Sequence, residues 1–159
     1  MTVVAELRSA NDVYATGFDK GDLPMPPGRR FAVVTCMDAR LDPARFLGLE
    51  EGDAHVIRNA GGLVNDETIR SLVISHHLLG TEEAVVIGHS DCGMLTFTND
   101  VLRARLGPAG EAVDFQPFPD VAARVRRSVE AIRTSPLLPE SYGAVGFVYD
   151  VTSGRLEAV

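Results

Sequence analysis

Phe31-Ala32-Val33-Val34-Thr35-Cys36-Met37-Asp38-Ala39-Arg40 runs from five apolar or β-branched residues straight into a thiol, a carboxylate and a guanidinium. A short continuous run of this kind suits a strand covered on both faces, so the polar group that follows sits at the strand's carboxyl end. Ala84-Val85-Val86-Ile87-Gly88 repeats the pattern and leads into His89-Ser90-Asp91-Cys92-Gly93. The chain has two cysteines, and each follows one of these runs.

Two more runs, Ala54 to Ile57 and Val145 to Val148, read as strands, and helical patterns separate the four. Asp42-Pro43 opens a short helix that Gly48 ends, proline being favoured at the first helical position and glycine just past the last. Asn65 or Asp66 caps a longer one reaching to about Gly80. Its stripe is Ile69, Leu72, Val73, His76 and Leu79, which makes His76 a packed core histidine rather than a ligand. A third helix is predicted from about Met94 to Leu106, followed by a Gly/Pro-rich loop from Gly107 to Pro119. The fourth carries Arg124, Arg126 and Arg127 on a solvated face opposite Val121, Val125, Val129 and Ile132, and stops at Ser135-Pro136.

Alternating strands and helices predict an α/β fold, a mainly parallel central sheet flanked by helices. Ligands in such sheets gather at the carboxyl ends of strands. Topology can therefore unite Cys36 with His89 and Cys92.

At 159 residues the chain suits a single domain spanning 1–159. Residues 1–27 stand apart. Val4, Leu7, Asn11, Tyr14 and Phe18 recur at helical spacing, and Leu23-Pro24-Met25-Pro26-Pro27 must be extended. This helix and arm have no obvious place on a doubly covered sheet, which points to packing on a second subunit, with the same monomer's core as the alternative.

Fifteen basic against twenty-two acidic residues give a net charge of −7, which repels a phosphate backbone, so no nucleic acid partner is expected. Neither a signal-peptide pattern nor an apolar stretch of membrane-spanning length is present, so the expected location is cytoplasmic and no membrane partner is expected. Thiols stay reduced there, which disfavours a disulfide between Cys36 and Cys92.

Cys36, His89 and Cys92 make a Cys2His set, which suits tetrahedral Zn2+, one per chain, with the fourth position open for water. Two thiolates cancel the ion's charge, so something else must favour hydroxide. Asp38 and Arg40 can contribute, since residues two apart on an extended segment share a side. An ionised Asp38 paired with Arg40 could accept the proton of a zinc-bound hydroxide; alternatively, it could leave Arg40 and become a fourth ligand, displacing the water. Arg58-Asn59-Ala60-Gly61-Gly62 and Gly93 are candidate walls, with Gly61 permitting close approach and Gly93 opening a helix whose N–H groups favour an anion. Leu63 and Val64 are further candidate lining residues.

Cys36-x-Asp38-x-Arg40 with His89-x-x-Cys92-Gly93 resembles the signature of the β-class carbonic anhydrases, and Arg58-Asn59-Ala60-Gly61 is similar to another segment of that family. The resemblance extends from about residue 25 to the end. It implies Cys36, His89 and Cys92 as zinc ligands, Asp38 and Arg40 as the catalytic dyad, Asp38 as a ligand only in a closed state, and a homodimer or higher homo-oligomer with pockets at its interface. It also implies reversible hydration of CO2 to bicarbonate and a proton by attack of zinc-bound hydroxide. Carbonyl sulfide hydrolysis at the same site is the alternative, and a non-catalytic zinc-stabilised scaffold with Asp38 permanently on the metal is the third reading. The chain departs from many members in that no glutamine precedes Cys36, the single one being Gln116, and from some bacterial members in that tryptophan, used there in a noncatalytic bicarbonate site, is absent.

Overall fold

The computed structural model describes residues 2–159, leaving Met1 of the N-terminal arm outside the described residues. Five strands, β1 (Phe31–Cys36), β2 (Ala54–Asn59), β3 (Glu83–His89), β4 (Gly143–Tyr149) and β5 (Leu156–Ala158), form one sheet in the order β2-β1-β3-β4-β5. The first four are parallel, as expected, and β5 adds antiparallel to β4. Around them lie α1 (Val3–Thr16), α2 (Pro43–Leu47), α3 (Asp66–His77), α4 (Asn99–Leu106) and α5 (Val121–Arg133).

The crossovers β2-α3-β3 and β3-α5-β4 run the same way across the sheet, while β1-α2-β2 runs the other way. Right-handed connections therefore put α3 and α5 on one face and α2 on the opposite one. The main core agrees: Ala32, Val34, Ala84, Val86 and Ala144 alternate along their strands and meet Leu72 of α3 with Val125, Val129 and Ile132 of α5. Full burial of each such side chain is worth about 1.5–3 kcal/mol for the larger aliphatics. Gly88 permits the close approach of α5, for a Cβ there would stand 2.7 Å from Val121 and Val125.

Coverage on both faces holds only in part. On the α2 face Val33 and Ile87 are fully buried, but Val56 is 43% and Val145 36% exposed, because the five-residue α2 is too small to cover the sheet. The N-terminal helix forms as predicted, capped by Thr2, yet none of its residues is buried.

Local differences from the sequence reading have simple causes. The helix expected over Met94 to Leu106 is split: Gly93–Leu95 is a 3₁₀ turn, and α4 restarts after Thr98, whose hydroxyl caps Val101 N. The intervening Phe97 is drawn into the apolar cluster under the site. The helix expected to reach Gly80 ends at His77, Leu78 being its cap. His76 is indeed a packing residue, with Nδ1 2.6 Å from Thr81 O and its ring edge-on to Tyr142. β5 escaped the sequence reading because three residues give no alternation to read. It follows a turn in which Asp150 accepts from Thr152 N and Ser153 Oγ.

The half of β4 that β5 does not reach is closed by other groups. Arg133 Nη2 donates to Ala144 O at 2.6 Å, and Val159 N donates to Gly146 O at 3.1 Å.

Candidate active site

β1 and β3 are direct neighbours in register, Thr35 beside Ile87, so their carboxyl ends deliver Cys36, His89 and Cys92 to one place. Cys36 and His89 are the last residues of their strands, and Cys92 follows on the turn. The two sulfurs and the imidazole nitrogen lie within 4.8 Å of one another, all three residues buried, and the group could hold a metal ion.

His89 Nδ1 lies 2.9 Å from Ser90 O, an arrangement that makes Nδ1 the proton-bearing donor and leaves a lone pair on Nε2. That Nε2 is buried without a hydrogen-bond partner. A buried polar atom with nothing to bind is costly, unless its partner is an ion. Soft thiols plus a tautomer-fixed imidazole suit Zn2+.

The two thiols divide one proton. The Cys92 thiol beside it stabilises the Cys36 thiolate, against burial, and lowers Cys36 to about 4, while Cys92 is pushed up by that same partner and by burial. Burial opposes the imidazolium of His89, but the neighbouring Cys36 outweighs it, and the net direction is upward.

Asp38 stands at the rim, held by Arg40 and not by the ligand group. Arg40 donates from Nε to Oδ1 at 3.0 Å, from Nη2 to Oδ2 at 2.8 Å and from its backbone N to Oδ1 at 2.9 Å. These bonds hold the Asp38 carboxyl well below the usual carboxylate range. Oδ2 also lies 3.9 Å from His89 Nε2, so the same oxygen borders the metal group.

A pocket of about 230 Å³ opens beside these residues, lined by Cys36, Met37, Asp38, Ala60, Gly61, Cys92, Gly93 and Met94. Gly61 is needed there: φ is +83°, a Cβ would stand 3.0 Å from Met94 Cγ and Phe118 Cε1, and its N–H donates to Cys36 Sγ at 3.3 Å. Gly93 also lines the pocket, but the helix-terminus argument for it does not hold, because it opens a single 3₁₀ turn and not a helix. A Cβ there would meet nothing. Leu63 and Val64 are buried behind the wall, Val64 in the main core.

The wall is locked by Asn59, whose side chain donates to Leu63 O at 2.8 Å and accepts from Leu63 N at 2.6 Å. Gly62 follows at φ +61°, where a Cβ would come within 2.9 Å of the Thr35 carbonyl carbon.

The carbonic anhydrase family profile matches residues 31–114, which contain every one of these site residues except Phe118. The chain belongs to the β-carbonic anhydrase family. β-Carbonic anhydrase 1 of Mycobacterium tuberculosis is 49% identical over 100% of this chain and 99% of that protein. A crystal structure of carbonic anhydrase from Streptococcus mutans is 46% identical, covers 100% of this chain and 98% of that one, and superposes with a TM-score of 0.92. A carbon disulfide hydrolase of Acidithiobacillus thiooxidans is 34% identical over 98% of this chain and 90% of that protein. This member of the family is therefore an enzyme of the carbonic anhydrase type, with a Cys-His-Cys group that could hold its metal.

Two roles went unread in the sequence, that of Arg58, named there only as part of a candidate wall, and that of Asp91. Arg58 of β2 donates from Nε to Cys36 O at 3.0 Å and from Nη2 to Asp38 O at 2.7 Å, pinning the segment between them. Asp91 accepts from Arg40. Their signal was proximity, Arg58 beside Thr35 in register and Asp91 beside Cys92, which an unaligned sequence does not weigh. Among the described residues no helix is long and apolar enough to cross a membrane.

Proposed function

We propose that this β-carbonic anhydrase interconverts CO2 and bicarbonate, with Cys36, His89 and Cys92 holding one Zn2+ per chain. The orphaned, buried Nε2 of His89 beside two sulfurs carries this reading. A zinc ion held there supplies a Lewis acid that turns water into a nucleophile near neutral pH.

The chain's own groups do the rest. Cys36 and Cys92, as thiolates, would offset the cation's charge, so orienting a bound hydroxide falls to Asp38. Kept ionised by Arg40, Asp38 offers Oδ2 as a hydrogen-bond acceptor on the metal side, where it can aim the nucleophile's lone pair. Met37, Ala60, Gly61, Gly93 and Met94 present an apolar wall suited to a small linear substrate. If Asp38 leaves Arg40, Oδ2 can join the ligand set, closing the site.

Stopped-flow CO2 hydration by zinc-replete protein tests this. Activity that chelation removes and zinc restores is expected; a zinc-loaded protein that leaves the uncatalysed rate unchanged would overturn it.

The relatives that are carbon disulfide hydrolases favour a second reading, in which the same wall admits sulfur heterocumulenes and the enzyme hydrolyses carbonyl sulfide. A kcat/KM for carbonyl sulfide well above that for CO2 would put this reading first.

We also propose a homodimer or higher homo-oligomer in the cytoplasm, where both ligand thiols stay reduced. The half-exposed α2 face of the sheet and the unburied Val4, Leu7 and Phe18 of the arm support a second copy as the missing cover.

A further inference from the structure

We infer that Asp91 is a positioning residue: it anchors Arg40 from the β3 side, so that Arg40 keeps Asp38 off the Cys36–His89–Cys92 group. The inference deepens the proposed carbonic anhydrase reading and rests on it.

Arg40 is gripped along two edges. Nε and Nη2 face the carboxylate of Asp38, while Nη1 donates to Asp91 Oδ2 at 2.7 Å and Nη2 to Asp91 O at 2.9 Å. Four of its five N–H groups are thus committed, to two different strand ends. Asp38 and Arg40 alone are two residues apart on one loop, and an exposed pair of that kind is weak and conformationally mobile. Asp91 changes this by tying the guanidinium to a second, independent segment.

That segment cannot easily follow Arg40 away. Ser90 N donates to Tyr149 O at 2.9 Å, Ser90 Oγ accepts from Val151 N at 3.0 Å, and Cys92 on the other side is buried. Asp91 itself sits at φ +53°, a left-handed conformation uncommon outside glycine but tolerated by aspartate. This backbone aims both its carbonyl and its carboxylate at Arg40, and strain retained at a site is a reason to look for a role. The Asp91 side chain is otherwise 75% exposed, and Arg40 is its ion-pair partner.

The consequence concerns where Asp38 rests. With Arg40 fixed, the carboxylate keeps its bidentate partner in place and Oδ2 stays on the rim. With Arg40 loosened, the same oxygen, already 3.9 Å from His89 Nε2, has less to hold it back. On charge alone Asp91 competes with Asp38 for one guanidinium, but the bonds to two separate edges of Arg40 make it an anchor.

The test uses full-length, zinc-loaded wild type, Asp91→Ala and Asp91→Asn, read by zinc X-ray absorption and crystallography at neutral pH together with steady-state CO2 hydration. Asp91→Ala is expected to keep one zinc per chain, bring a carboxylate oxygen into the zinc shell, and lower kcat about tenfold with little change in KM, at the lower end of what outer-shell partners are worth. Asp91→Asn, which keeps an acceptor and tolerates the same φ, should fall between, and it carries the test alone if the alanine variant does not fold. A wild-type shell and kcat in the variants overturns the inference, as does a loss of zinc, which would mark a role in the fold. If wild type itself hydrates no CO2, the proposed function fails, and the zinc shell still decides whether Asp91 restrains Asp38.

Discussion

The carboxyl ends of β1 and β3 and the N-terminal helix α1 are built on opposite principles. At the strand ends nearly every polar group is satisfied within the chain: Arg58 pins the Cys36–Asp38 segment, Asn59 locks the glycine wall, and Arg40 is gripped by two carboxylates. α1 buries nothing and leaves Val3, Val4, Leu7 and Val13 each more than 60% exposed. A short helix is marginal in water without a packed face. One region satisfies nearly all of its polar groups within the chain, and the other leaves its apolar side chains uncovered by it.

The sharpest way to break this contrast is at the metal group. Cys36→Ser should reduce zinc from one per chain to near none and lower activity by at least about 100-fold, since even outer partners of metal ligands are worth 10- to 100-fold. Metal analysis of the purified variant decides it. Retained stoichiometric zinc would mean that the three residues are not the ligand set.

Asp38→Asn probes the rim without the ligands. Zinc should remain, while CO2 hydration falls about 10²- to 10⁴-fold, the range of a positioned proton acceptor. Equal kcat in variant and wild type would remove Asp38 from the chemistry.

The arm is tested by Val4→Asp combined with Leu7→Asp. Sedimentation should show a smaller assembly, with zinc content unchanged if the metal group is complete within one chain. Loss of zinc on dissociation would mean that the metal group, like α1, depends on a second copy.

The smallest effect concerns protons in the metal-free chain. The Cys92 thiol beside it lowers Cys36 far below an ordinary thiol, so its alkylation by iodoacetamide should be nearly flat from pH 6 to 8. An ordinary thiol near 8.5 would speed up about tenfold per unit over the same range. Cys92→Ser removes the main partner stabilising that thiolate, which should raise the value and restore the slope. The same lowering means that Cys36 favours the folded metal-free state at high pH and that this contribution is lost in acid, while the raised Cys92 opposes folding above the ordinary thiol range.

Much of this was legible in residue order. β1 and β3 could be read because their apolar runs are continuous, and Cys36, His89 and Cys92 because a sheet of this class brings strand ends together. The grip of Arg40 on Asp38 was legible too, being local. What escaped depends on register or on very short segments. Arg58 acts across the β1–β2 pairing, Asp91 acts through a left-handed turn, and β5 has too few residues to show a period. The break between the 3₁₀ turn and α4 came from Phe97 preferring the cluster under the site to a helical position. Tertiary demand overrode a plausible local pattern there.

The short β5 leaves half of β4 without a neighbouring strand, and exposed strand margins invite pairing with stray chains. Arg133 and the backbone N–H of Val159 take up Ala144 O and Gly146 O on that stretch. A foreign strand arriving there finds these acceptors already taken. That margin of the sheet is thereby a poorer template for a foreign strand, and Arg133→Ala would free Ala144 O on it.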